Sequence, residues 1–297
     1  MSTTGTVFEQ SFDLPAPPER AWAALTDARS LEAWFCEHAE VEPSVGGAWR
    51  FWGRHTPFDA GEADADQTIT GFDPPRRLGF TWTWGRGRCE VDLTLAPAPG
   101  GATLRVTHRM EGAPAASAEC DPGLYAQDFW IVAAANLAAY LRAGAPAVRP
   151  DYTEPGPDVE VEIAIDAPAE SVWRELTDPA RMAGWLGCDR LAAQPRVDLR
   201  AGGVYTFGWA GPDGSAMGPT EILELDPPRR LVVSWRHGSD ATDRTEWTIT
   251  PVDATSCRLA VRQVGTRSAD EGQGYRSGWA AFLLLIRRAA MGAPGPA

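Results

Sequence analysis

Apolar and polar residues alternate with period two through much of this chain. Val159, Val161, Ile163 and Ile165 are separated by polar neighbours, Ala164 apart. Such alternation predicts a strand with one buried face. Leu78, Phe80, Trp82 and Trp84 share one strand face in the same way. Val91, Leu93 and Leu95 oppose Glu90, Asp92 and Thr94, and Leu104, Val106 and His108 share the inward parity of the next strand. The period then changes. Trp130, Ala134, Leu137 and Leu141 follow helical spacing, as do Trp279, Leu283, Ile286 and Ala290, which predicts two amphipathic helices. Pro17, Pro18 and Pro168 suit the first turn of short helices, where a missing N–H costs no hydrogen bond. Gly46-Gly47 and Gly202-Gly203 read as turns. The order is a strand, two short helices, several antiparallel strands and one long helix, and it occurs twice.

The repetition extends to residue identities. Trp22, Leu25, Thr26 and Asp27 recur as Trp173, Leu176, Thr177 and Asp178, offset by 151, and Trp34 matches Trp185. Gly46-Gly47 matches Gly202-Gly203. Asp73-Pro74-Pro75-Arg76-Arg77-Leu78 recurs as Asp226-Pro227-Pro228-Arg229-Arg230-Leu231, and Trp82 then matches Trp235. A period near 150 is too long for a solenoid unit and implies two complete domains. The Pro-, Gly- and charge-rich stretch around Arg149–Pro157 suits a linker. Domain one is expected over 6–146, a linker over 147–156 and domain two over 157–292.

These motifs, in this order and twice over, resemble the activator of heat-shock-protein-90 ATPase homologue family of the SRPBCC superfamily, which includes START-like and birch-pollen-allergen-like proteins. The resemblance implies an α+β fold of two tandem helix-grip domains. Each would be a curved antiparallel β-sheet wrapped around a long C-terminal helix, with two short helices after the first strand. It also implies a hydrophobic cavity between sheet and helix. It does not imply one function, because carriers, sensors and cyclases share the fold. The co-chaperone that names the family stimulates its partner through a separate N-terminal domain. No segment here is left over for one, which weighs against a chaperone-activator role.

Composition narrows the choice. The 297 residues are 44% hydrophobic and 23% charged, close to the globular average, so each half can bury its own core. The net charge of -13 offers no basic face for nucleic acid. All 27 basic residues are Arg, a bias that suits GC-rich codons. No apolar run approaches the roughly 18–20 residues needed to cross a bilayer, and Met1–Gln10 lacks the pattern of a signal peptide. The expectation is a cytoplasmic protein without membrane insertion. Cys36, Cys89, Cys120, Cys188 and Cys257 are odd in number and scattered, which suits reduced thiols better than a disulfide framework or a zinc site.

Thirteen tryptophans direct attention to the concave face. Trp82 and its counterpart Trp235 are expected to line or fill the cavities. Trp84, replaced by His237 in the second repeat, is a candidate for ligand selectivity. Trp52 and Trp209 stand near strand ends, where a pocket mouth would lie, with Arg54, His55, Arg86 and Arg88 as polar candidates beside it. His108 has the inward parity, and its counterpart is Gln263. His can shuttle a proton near neutral pH and Gln cannot, so proton-transfer chemistry would belong to domain one. Cys36 and His38 are spaced i, i+2, which rarely brings a nucleophile and its base together. Glu62, Asp64 and Asp66 lack the further oxygen ligands and fixed Gly of a calcium loop. No metal or cofactor is expected, and no phosphate-binding Gly loop or nucleophile elbow is found.

Three functions suit these features. The first is binding of a small hydrophobic or aromatic molecule in one or both cavities. The second is a polyketide-type cyclase, aromatase or dehydratase, with His108 as acid/base and Trp82 and Trp84 shaping the substrate. The third is a stress or chaperone-associated interaction protein. Whether the chain forms a homodimer is left open by the sequence.

Overall fold

The computed structural model describes residues 6–57, 61, 65–84, 87–111, 122–154, 158–186, 193–210, 214, 216–237, 241–266 and 269–292, with the side chains of residues 84, 111, 122, 237, 241, 242, 269 and 270 left aside. The chain divides into two compact units, Met1–Glu154 and Pro155–Ala297.

The first unit runs β1 (Thr6–Leu14), α1 (Pro18–Thr26), α2 (Ala28–Trp34), β2 (His38–Val41), β3 (Trp49–Trp52), β4 (Ile69–Asp73), β5 (Arg77–Trp84), β6 (Gly87–Ala98), β7 (Gly101–Glu111) and α3 (Pro122–Ala143). Its main sheet is antiparallel in the order β1-β7-β6-β5-β4, and β2 pairs with β3. The second unit runs β8 (Val159–Ile165), α4 (Ala169–Thr177), α5 (Pro179–Leu186), β9 (Arg196–Val197), β10 (Tyr205–Thr206), β11 (Trp209–Ala210), β12 (Ala216–Asp226), β13 (Arg230–His237), β14 (Ala241–Pro251), β15 (Cys257–Val264) and α6 (Ala269–Ala290). Its six-stranded sheet follows β11-β12-β13-β14-β15-β8. Each unit is a curled antiparallel sheet holding a 22-residue C-terminal helix, the helix-grip arrangement.

The repeated motifs explain why each unit folds this way. Leu25 and Leu176 are buried between the short helices and the sheet. Thr26 Oγ1 donates to Trp22 O and Thr177 Oγ1 to Trp173 O, both at 2.8 Å, closing the last turns of α1 and α4. Asp27 Oδ1 then accepts from Ser30 N at 2.8 Å and Asp178 Oδ1 from Ala180 N at 2.9 Å. An acceptor there satisfies one of the unpaired N–H groups that open a helix. One Asp thus ends the first short helix and starts the second.

The glycine pairs are equally specific. Gly46 and Gly202 have φ of +85° and +75°, a region that side chains with a Cβ rarely occupy. A Cβ on Gly47 would lie 2.3 Å from Glu42 O, and one on Gly203 would lie 2.0 Å from Asp198 O. The first glycine supplies the turn and the second the close approach. Both pairs then bond to the sheet: Gly46 N to Ile69 O at 2.9 Å, and Gly202 N to Ile222 O at 2.8 Å. The Asp-Pro-Pro-Arg-Arg motifs form the β4–β5 and β12–β13 hairpin turns. There Arg76 N donates to Asp73 O and Arg229 N to Asp226 O.

The predicted faces are the observed ones. Leu78, Phe80 and Trp82 are buried on β5, Val91, Leu93 and Leu95 on β6, and Leu104, Val106 and His108 on β7. Trp130, Ala134, Leu137 and Leu141 form the buried stripe of α3.

Candidate functional site

In the first unit the inward faces of β5, β7 and α3 meet around His108. The ladder pairs His108 with Phe8 on one side and Val91 on the other, and the side chain is 0% exposed. Trp130, on α3, donates its indole Nε1–H to His108 Nδ1 at 3.2 Å. Trp82 stacks on the imidazole, with ring centroids 5.9 Å apart and planes 15° apart. Phe51 and Phe129 close on Trp82 at 5.1 and 5.2 Å.

This environment decides the ionisation of His108. Burial alone lowers its pKa from 6.5 to about 3. Desolvation penalises the imidazolium, and Trp130 offers a donor, which favours a neutral ring accepting at Nδ1. With Nδ1 as acceptor, the ring proton belongs on Nε2. A ring so far below its ordinary pKa stays neutral at physiological pH.

Trp52 lies elsewhere. On β3, Trp49 and Phe51 point into the core, while Arg50 and Trp52 take the other face. There Trp52 meets His38 at 5.6 Å, and the Arg50 guanidinium covers it at 5.5 Å. Trp52 is therefore not brought together with Trp82. Trp84 ends β5, but its side chain is outside the described part. Arg88 is exposed on β6. Arg86, Glu62, Asp64, Cys120 and Cys188 lie outside the described residues.

One wall of this unit escaped sequence reasoning. After α3 the chain folds back, and Asn136 clamps it: Oδ1 accepts from Ala147 N and Val148 N at 2.9 and 3.0 Å, and Nδ2 donates to Val148 O at 2.7 Å. Arg149 Nη2 donates to Cys36 O. His55 Nδ1 donates to Pro150 O at 2.8 Å, and Tyr152 N donates to Arg54 O at 2.7 Å. Between this segment and the Phe35–Phe129 pair is a space of about 20 Å³, room for about one water. Burial lowers the pKa of His55. Burial also pushes the Cys36 thiol up to about 12 against the opposing pull of Arg149, so the thiol stays protonated and poorly nucleophilic. The one available clue was Asn136, a polar residue on a buried, Ala-rich helical face.

In the second unit Trp235 occupies the place of Trp82. It meets Trp279 at 5.1 Å, Trp209 at 6.0 Å and Phe207 at 6.1 Å. Trp247 lies against Trp279 at 5.2 Å, and Trp209 stacks on Phe282 at 5.6 Å. Trp209 and Trp235 thus share one aromatic cluster. Gln263 stands where His108 does, between Val159 and Thr245 in the ladder, and is 0% exposed. Thr245 Oγ1 donates to its Oε1 at 2.6 Å. His237 is the last residue of β13, and its side chain lies outside the described part. Among the described residues, no three His, Cys, Asp or Glu side chains converge as metal ligands, and no helix is long and apolar enough to cross a membrane.

The geometry defines a class: tandem helix-grip units whose sheets and long helices enclose aromatic interiors with a few neutral polar groups. The model of one family, described as Activator of Hsp90 ATPase homolog 1-like protein, matches residues 15–142 and again 166–289. The chain belongs to that family, as two consecutive copies of its domain. Among solved structures it is similar to DynU16, a putative protein in the dynemicin biosynthetic locus, with 22% identity over 96% of this chain and 98% of that one and a TM-score of 0.41. CalU16 from Micromonospora echinospora is 27% identical over 47% of this chain and 77% of that one, with a TM-score of 0.36. PFC0360w, an HSP90 activator from Plasmodium falciparum, is 19% identical over 37% of this chain and 74% of that one, with a TM-score of 0.31. No protein of curated function matches the chain.

Proposed function

We propose that this protein binds a small aromatic or otherwise hydrophobic molecule between the sheet and the long helix of a helix-grip unit. The observation that carries the reading is the interior itself. Each unit places a neutral polar residue at the same inward position, His108 or Gln263, within a ring-lined apolar interior. A mostly apolar site with a few fixed hydrogen-bonding groups is the usual make-up of a small-molecule pocket. Membership of the family supports the fold as a ligand-binding one. In this reading Trp82 and Trp235 form the walls and His108 orients the ligand as a neutral group. A neutral His108 suits this orienting role better than that of a proton donor.

Native mass spectrometry of freshly purified protein, followed by extraction, tests the proposal. The expected result is a discrete added mass belonging to an aromatic or apolar compound, or stoichiometric uptake of 8-anilino-1-naphthalenesulfonate by protein that arrives empty. An apo mass together with no uptake of the dye overturns it. The same spectra distinguish a monomer from a homodimer.

A further inference from the structure

Several buried hydrogen-bond donors of the second unit meet no acceptor among the described residues. Thr245 occupies the Gln263 Oε1 acceptor, and the Gln263 Nε2 amide has no partner among the described residues. Among the described residues, the indole N–H groups of Trp247 and Trp279, 1% and 2% exposed, also meet no acceptor, nor does the buried N–H of Trp209. The indoles belong to one aromatic cluster: Trp247 touches Trp279, Trp279 touches Trp235, and Trp235 touches Trp209.

A buried donor without an acceptor carries the full desolvation penalty of that group, and native interiors leave few of them. At the helix position of Trp279 the first unit differs: Trp130 donates to His108. Three substitutions between the repeats produce the difference. Val91 becomes Thr245, whose hydroxyl takes the Gln263 acceptor. His108 becomes Gln263, which adds an N–H₂. Leu93 becomes Trp247, which adds an indole N–H.

We infer that the second unit selects a flat aromatic molecule bearing neutral acceptor oxygens, such as a ketone or quinone carbonyl, with those oxygens directed at Gln263, Trp247 and Trp279. This rests on the binding reading above and adds the ligand's chemistry and the unit that recognises it. Indole faces stack on an aromatic ring, and their N–H edges and the Gln263 amide supply donors without charge. A carboxylate would bring a buried charge to neutral donors, an expensive match. Arg276, buried one turn before Trp279, is already engaged.

The test uses the full chain and three probes on one ring frame: fluorene, 9-fluorenone and fluorene-9-carboxylate, with dissociation constants from equilibrium dialysis. One hydrogen bond to a buried neutral donor predicts fluorenone binding about tenfold tighter than fluorene. The double variant Gln263→Met/Trp279→Phe should bring that ratio close to one while fluorene binding persists. Trp22→Phe, in the first unit and packed on Phe72 rather than on His108, should leave the ratio unchanged. If the double variant does not fold, Trp247→Phe must lower the ratio instead. Equal binding of fluorene and fluorenone by the wild type overturns the inference and leaves the binding reading standing. Tightest binding of the carboxylate, or a ratio that survives the second-unit substitutions, also overturns it. Retention of no probe removes the binding reading as well.

Discussion

In the first unit Trp130 finds an acceptor in His108; in the second, Trp279 stands at the same helix position and finds none among the described residues. The outer parts of the units show no such divergence. Trp34 and Trp185 donate to the equivalent carbonyls of Ala24 and Glu175, both at 3.0 Å. Trp49 Nε1 and Tyr205 Oη donate to the equivalent carbonyls of Leu25 and Leu176, both at 2.8 Å, although one is an indole and the other a phenol. The bonds that hold the short helices to the sheet are kept even where the residue changes. The polar groups on the innermost strand face are not kept. The two units share the bonds that fix the fold and the ring walls, and differ in the polar groups that face the interior.

The comparison first requires that the shared walls matter equally. Trp82→Ala and Trp235→Ala should each destabilise their own unit by about 3–5 kcal/mol, read as two separable urea transitions. A small effect at one of them would mean that its interior is not closed by that ring.

The next largest effect is a pH dependence confined to the first unit. Folded His108 has its pKa lowered to about 3, against 6.5 when unfolded. Below 6.5 the unfolded chain binds a proton that the folded unit excludes, so stability falls with pH and continues to fall until about pH 3. Between pH 7.5 and 5 this group alone should cost the wild type about 2 kcal/mol that His108→Gln does not lose. Matching pH profiles for wild type and variant would contradict the buried neutral assignment.

Indole N–H deletions sharpen the contrast at smaller scale. Trp130→Phe leaves His108 Nδ1 without its donor and should cost about 1 kcal/mol. Trp279→Phe removes a donor that has no partner among the described residues, and should be neutral or slightly stabilising in ligand-free protein. Thermal midpoints of the two variants decide this. Smallest of all are the cross-strand ion pairs on the outer sheet faces, Arg105–Glu9 and Arg258–Glu162. Neutralising either Arg should change stability by about 0.5 kcal/mol or less, alike in both units.

Much of the fold was legible because the repeated motifs act locally. Asp27 and Asp178 cap a helix within three residues, and the glycine pairs are forced by a positive φ and a close approach. Period-two patterning alone placed His108 and Gln263 on the same inward face. The partners were not legible, because they come from other elements. Nothing in the spacing told that Trp130, 22 residues away, would hold His108, or that Thr245 would take the Gln263 acceptor. Trp-Arg-Phe-Trp carries aromatics on both parities, so periodicity alone cannot say which ring faces in. The return of residues 147–154 onto the first unit left one mark in the sequence, the buried polar Asn136, while its other bonds, from Arg149, His55 and Tyr152, join distant residues.

The most direct test of the account is a ¹⁵N-resolved NMR spectrum of the indole N–H resonances, recorded as 9-fluorenone is added to the full chain. The account predicts that Trp209, Trp247 and Trp279 shift with fluorenone far more than with fluorene, while Trp34, Trp49, Trp130 and Trp185 hold their positions because their donors are already engaged. Shifts centred on Trp130, or identical responses to both probes, would contradict it.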